Sequence, residues 1–126
     1  MSYLPISGVV YFETATLPLK VASDPVSITL GMMGATTMDY ALAFQVSPGP
    51  QGFWMKNCKI PLDIIYCKLG DDHSTIDRIH HLCPPCKTTV CPLYRGYGDF
   101  VLEVPGGFCK RNGVAEGQKV FFYTRK

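Results

Sequence analysis

Runs of like charge are missing from this chain. Its 12 lysines and arginines are scattered from Lys20 to Lys126, and only Lys110-Arg111 and Arg125-Lys126 are adjacent. A stripe that tracks phosphates needs clustered cations, and the net charge is only +2, so nucleic acid is not an expected partner. Long apolar runs are absent too, which argues against a membrane helix and a membrane partner. The opening residues, MSYLPISGVVYFE, lack the basic start, apolar centre and small-residue cleavage site of an export signal. With Met1 as the natural start, the expected compartment is the cytoplasm. Internal repeats, low-complexity tracts and linkers are also missing, so residues 1–126 are expected to form a single domain.

What is present fits a compact globule. Hydrophobic residues make up 47% and charged residues 17%, a balance that favours burial over disorder. Glycine and proline occur 12 and 10 times and punctuate short segments throughout. VVYFETA (9–15) and LPLKVAS (17–23) read as strands rich in β-branched and aromatic residues. Asp24 and Pro25 form a helix start, and Gly31 and Gly34 limit that helix. YALAFQV (40–46) reads as a buried strand, broken by SPGPQG, with FWMKN as its expected antiparallel partner. Pro61 marks an edge or a bend before LDIIYCKL, and TIDRIHHL follows the GDDHS turn as another strand. Residues 83–98 read as an irregular loop, followed by the strand DFVLEVP. A short helix ends at Gly113, and a turn at Gly117 precedes the last strand. The expected fold is mainly β (α+β): a compact β-sandwich or part-open barrel of six to eight short strands with two short helices.

In this order the motifs LGMM (30–33), FWMKN (53–57), IPLDIIY (60–66), PPCKTTVCPLY (84–94), FVLEVPGG (100–107) and GVAEGQKV (113–120) carry a resemblance. The chain resembles domain-of-unknown-function family 192 over about residues 18–122. The resemblance implies a compact, mostly β domain with no agreed activity. Cys58 stands where that family generally has threonine, and Gly117-Gln118 where it has glycine-aspartate. The segment VSITL is nearly uncharged where the family helix carries charge. Many relatives carry an export signal that is not seen here.

The middle of the chain mixes polar groups into apolar segments. As a strand, FWMKN would place Trp54 and Lys56 side by side on one face, with Asp63 returning from the next segment. An aromatic plate beside an amine, an amide and a carboxylate suits a small polar ligand such as a carbohydrate. The ligand-binding set is then Trp54, Lys56, Asn57 and Asp63, with Arg95 and Glu103. The same residues can serve structure. Asp63 can accept backbone N–H bonds at the bend or pair with Lys56, Asn57 can cap a turn, and Trp54 can be core. Glu103, among apolar neighbours, is a partner for Lys56 or Arg95 in that reading. Asp63 and Glu103 also offer a carboxylate pair for a hydrolytic enzyme, whose chemistry would depend on their separation. No serine or cysteine lies in a recognisable nucleophile motif, so catalysis is not the expected activity.

HHLCPPCKTTVC places His80, His81, Cys83, Cys86 and Cys91 within twelve residues. A zinc site would take Cys83 and Cys86 as a C-x2-C pair, Cys91 as third ligand and His81 or His80 as fourth. A second distant ligand pair is missing, so no metal cofactor is expected. A redox C-x-x-C pair would open a helix, and no helix signal follows here. Cys58, Cys67 and Cys109 read as small buried hydrophobes. The family pattern implies a staple between Cys86 and Cys91, with Cys83 left over; free thiols are the alternative in a reducing compartment.

Overall fold

The structure, a computed structural model, describes residues 4–125. Seven strands form a closed barrel: β1 (Gly8–Phe12), β2 (Thr16–Ala22), β3 (Ala41–Phe53), β4 (Leu62–Lys68), β5 (Ser74–Cys83), β6 (Tyr94–Pro105) and β7 (Lys119–Thr124). Around the barrel they run β1-β2-β3-β6-β4-β5-β7, and β7 closes on β1. The fold is thus mainly β with two short helices, as expected, and its sheet closes completely. Closure leaves no long unpaired edge, which suits a chain with few charges to guard one.

The two helices sit at connections. Helix α1 (Pro25–Leu30) joins β2 to β3, which pair in parallel and therefore need a crossover. Asp24 caps it as expected, its carboxylate accepting from the Ser27 backbone N–H at 2.9 Å, and Gly31 at φ 49° ends it. Helix α2 (Phe108–Asn112) ends at Gly113, whose φ of 68° is the left-handed cap expected there. Among the described residues no helix is long and apolar enough to cross a membrane.

The barrel has two apolar clusters because its central strands are buried on both faces. All seven strands contribute to the interior, through residues such as Val10, Leu19, Ala43, Ile65, Ile76, Leu102 and Val120. The outer face of β3, β4 and β6 carries Leu42, Phe44, Ile64, Tyr66 and Val101, and it packs with Met32 and Met55 from loops and Cys83 from the end of β5. Six of the seven β4 residues are buried, which explains its nearly continuous apolar sequence. Pro61 lies just before β4, at the bend, and β4 itself pairs on both sides.

Two local expectations are corrected. SPGPQG does not break the strand: β3 runs through it to Phe53, with its register shifting between Gln45 and Gly49. Gly49, at φ 132°, takes up the irregularity that a side chain would resist. The antiparallel partner of this strand is β6, beginning at Tyr94 inside the segment expected to be loop. FWMKN is therefore not a strand. After Phe53 the chain leaves the sheet, and its Trp54–Lys56 alternation does not describe two faces of a ladder.

Candidate functional site

The segment after β3 is held by the cysteine loop. The Asn57 N–H donates to the Cys86 carbonyl at 2.9 Å, and the Cys86 N–H donates to the Met55 carbonyl at 3.1 Å. Met55 is buried as an anchor, while Trp54 is 43% exposed. Lys56 folds its ammonium over the Trp54 ring, 5.3 Å from the centroid. Trp54 and Lys56 are thus brought together, as expected, though by a turn instead of a strand. Asn57 is at that turn in the left-handed region, φ 60°, with its carbonyl accepting from the Gly34 N–H at 3.1 Å. Asparagine tolerates this conformation better than most residues.

Beneath this rim lies a hollow of about 410 Å³ between α1, the end of β3 and the 54–58 turn. Its lining includes Trp54, Lys56, Cys58 and Leu93 together with Gly31 and Phe44. Glu103, from the middle of β6, also lines it. That carboxyl is 3% exposed, and among the described residues its Oε1 has no hydrogen-bond partner. Burial among apolar walls pushes its pKa up to about 8. The nearby Cys58 thiol is pushed up to about 11, again by burial, and stays protonated at neutral pH.

The other expected site residues are elsewhere. Asp63 is fully buried and does not line the hollow. Its carboxylate accepts three backbone N–H bonds, from Leu82 at 2.8 Å, Gly107 at 3.0 Å and Cys109 at 3.0 Å. It ties the end of β5 and the start of α2 to β4, which is the structural role the bend suggested. Arg95 is exposed on β6, also outside the hollow, and its carbonyl bonds the His80 ring at 2.7 Å. Asp63 lies opposite Val104 and Glu103 opposite Ile64 in the β4–β6 register. The two carboxyls therefore face opposite sides of the sheet and do not form a catalytic pair.

The cysteine cluster also separates. Cys86 and Cys91 are disulfide-bonded, with Cα atoms 6.0 Å apart. Cys83 is buried under the outer face, its thiol pushed up to about 12 by burial, and His81 is exposed. Among the described residues, no group of three or more histidine, cysteine, aspartate or glutamate side chains could hold a metal ion.

Gly31, Met32 and Phe44 were not expected at a site, yet all three line the hollow. Leu30–Met33 is one of the motifs that carry the family resemblance, but its place beside Glu103 in the hollow depends on the crossover through α1.

A family model described as Uncharacterized ACR matches residues 9–122. The chain belongs to the DUF192 family. The match includes β1, which the sequence motifs alone did not reach. Two solved structures are similar to this DUF192 chain. One, from Sinorhizobium meliloti 1021, is described as a "putative transcription regulator"; it is 29% identical, with a TM-score of 0.79, and the match covers 92% of this chain and 93% of that one. The other is a protein of unknown function from Novosphingobium aromaticivorans DSM 12444, at 28% identity and a TM-score of 0.76, with 90% and 83% covered. No curated protein matches this DUF192 chain.

Proposed function

We propose that this DUF192 protein is a non-enzymatic binding module whose hollow beneath Trp54 takes a small polar ligand, a carbohydrate first among those to test. The observation that carries the reading is Glu103: a buried carboxyl oxygen without a partner among the described residues, in a hollow rimmed by an aromatic ring and an ammonium. A buried polar atom left unpaired costs roughly 1–3 kcal/mol, so such an atom is unusual where structure is its only role. The exposed Trp54 ring offers a face to an apolar sugar surface, and Lys56 beside it offers a donor to hydroxyls. Binding without turnover is favoured because Asp63 is engaged in backbone bonds, and Cys58 remains a thiol.

Regulation of transcription, the description of the Sinorhizobium neighbour, gains little support from this chain. Its longest described helix has six residues, and its basic residues are scattered. On compartment, the Cys86–Cys91 bond supports an oxidising setting against the cytoplasmic expectation.

Trp54 is the sole tryptophan, so intrinsic fluorescence reports the rim directly. Titration with a panel of monosaccharides is expected to shift or quench that emission saturably. Trp54→Ala, monitored by calorimetry, is expected to abolish binding while keeping a cooperative unfolding transition. A panel without a saturable response, or a Trp54→Ala variant that binds as well as the wild type, contradicts the reading.

A further inference from the structure

The two ends of the barrel are not alike. At one end α2 closes the interior: Phe108, Cys109 and Val114 belong to the interior apolar cluster, and the Phe108 ring centroid is 5.6 Å from that of Phe12. The register puts the other end at Gly8, which is opposite Leu19 on β2 and Thr124 on β7. There the interior opens into a second hollow, of about 450 Å³. Small-molecule sites span roughly 300–1,000 Å³, and barrel mouths are among their usual places.

The walls of this hollow continue the core. Leu19 and Ala43 are buried in the interior, and Val21, Phe100 and Phe122 pack against it while remaining only partly buried. Phe100 shares the alternation of Leu102, and Phe122 that of Val120, so both rings face inward. Their centroids are 5.0 Å apart and the rings meet edge to face, at 77°. Both keep accessible surface that a flat apolar guest would cover.

The rim selects against charge. Among the described residues, the lining holds no lysine, arginine or histidine. Asp99 lines it, with its carboxylate accepting from the Leu69 N–H at 2.8 Å. A carboxylate guest would meet a like charge and no cation. A cationic guest would lose its water against apolar walls, facing a carboxylate that a backbone N–H already holds. Gln45, two residues after Ala43 on β3, supplies an amide that both donates and accepts.

We infer that this mouth is a second binding site, for a small uncharged molecule with a flat aromatic body and one hydroxyl or carbonyl. The body lies against Phe100 and Phe122, and the polar group reaches Gln45 at the rim. The site does not depend on the hollow beneath Trp54, a residue outside this lining.

NMR titration of the intact protein at pH 7 with 2-naphthol, and separately with 2-naphthoate, tests it. 2-Naphthol is expected to give saturable shifts centred on Val21, Ala43, Phe100 and Phe122, and 2-naphthoate to bind about tenfold or more weakly. Val21→Phe, with folding checked by its urea transition, is expected to fill the mouth and abolish binding. The wild-type shift map decides alone if that variant does not fold. No saturable response to 2-naphthol, or shifts centred on Gly31 and Trp54, overturns the site. Equal binding of 2-naphthoate overturns the uncharged-ligand assignment, and a folded Val21→Phe protein that binds as tightly as the wild type overturns the location.

Discussion

Asp63 and Glu103 lie on neighbouring paired strands one register position apart, and so on opposite faces of the same sheet. Both are buried carboxyls, yet their surroundings differ completely. Asp63 accepts three backbone N–H bonds, whereas Glu103 Oε1 has none among the described residues. One is a structural clasp, and the other faces a hollow. Each fate can be measured separately.

Removing the clasp leaves three backbone donors unpaired, two of them buried. Asp63→Ala is therefore expected to destabilise the protein by at least about 3 kcal/mol. Urea denaturation reads this as a lower midpoint. An unchanged midpoint would show that those bonds contribute little.

Glu103 makes the ligand-free protein sensitive to pH. Burial raises its pKa from an ordinary 4.5 to about 8, so the folded state holds a proton that the unfolded state has released between those values. Stability from this group is fully present below the lower value and falls as pH rises through the interval, then levels off. Expected amplitude is on the order of a few kcal/mol. Glu103→Gln removes this slope and is expected to be the more stable form at pH 8. Urea midpoints measured for both proteins across pH 5–9 check it, and parallel curves would contradict it.

The fold was legible to the extent that it depends on local pattern. Pro25, Gly113 and the apolar run of β4 each announced their structures, because caps and buried strands are chosen by nearby residues. SPGPQG misled because proline and glycine usually interrupt strands, yet β3 absorbs them with a register shift opposite β6. The site was partly legible. Trp54, Lys56 and Glu103 do share the hollow, but their meeting depends on the crossover through α1 and on the tie to Cys86. Neither long-range arrangement can be read from period alone.

Trp54 is a rim residue, so its truncation leaves no core cavity. Trp54→Ala is expected to change stability by less than about 1 kcal/mol, in contrast to several for a buried tryptophan. A thermal or urea transition checks this independently of any ligand. A large loss would return Trp54 to the core role.

The Cys86–Cys91 bond closes a short loop that pins the rim through Asn57 and Met55. Reduction is expected to cost about 2 kcal/mol by the loop-entropy argument. Faster amide exchange is expected at Asn57 and Cys86, whose N–H groups make the tie. Hydrogen exchange with and without reductant measures this, and unchanged rates there would uncouple the loop from the site.

On the proposed function, the hollow between Trp54 and Glu103 is a binding site. An NMR titration of the wild-type protein with the panel of monosaccharides tests it most directly. Saturable shifts are expected, confined to Gly31, Gly52, the Trp54 indole, Lys56 and Cys58, all of which line the hollow. An unchanged spectrum, or saturable shifts centred elsewhere, would contradict it.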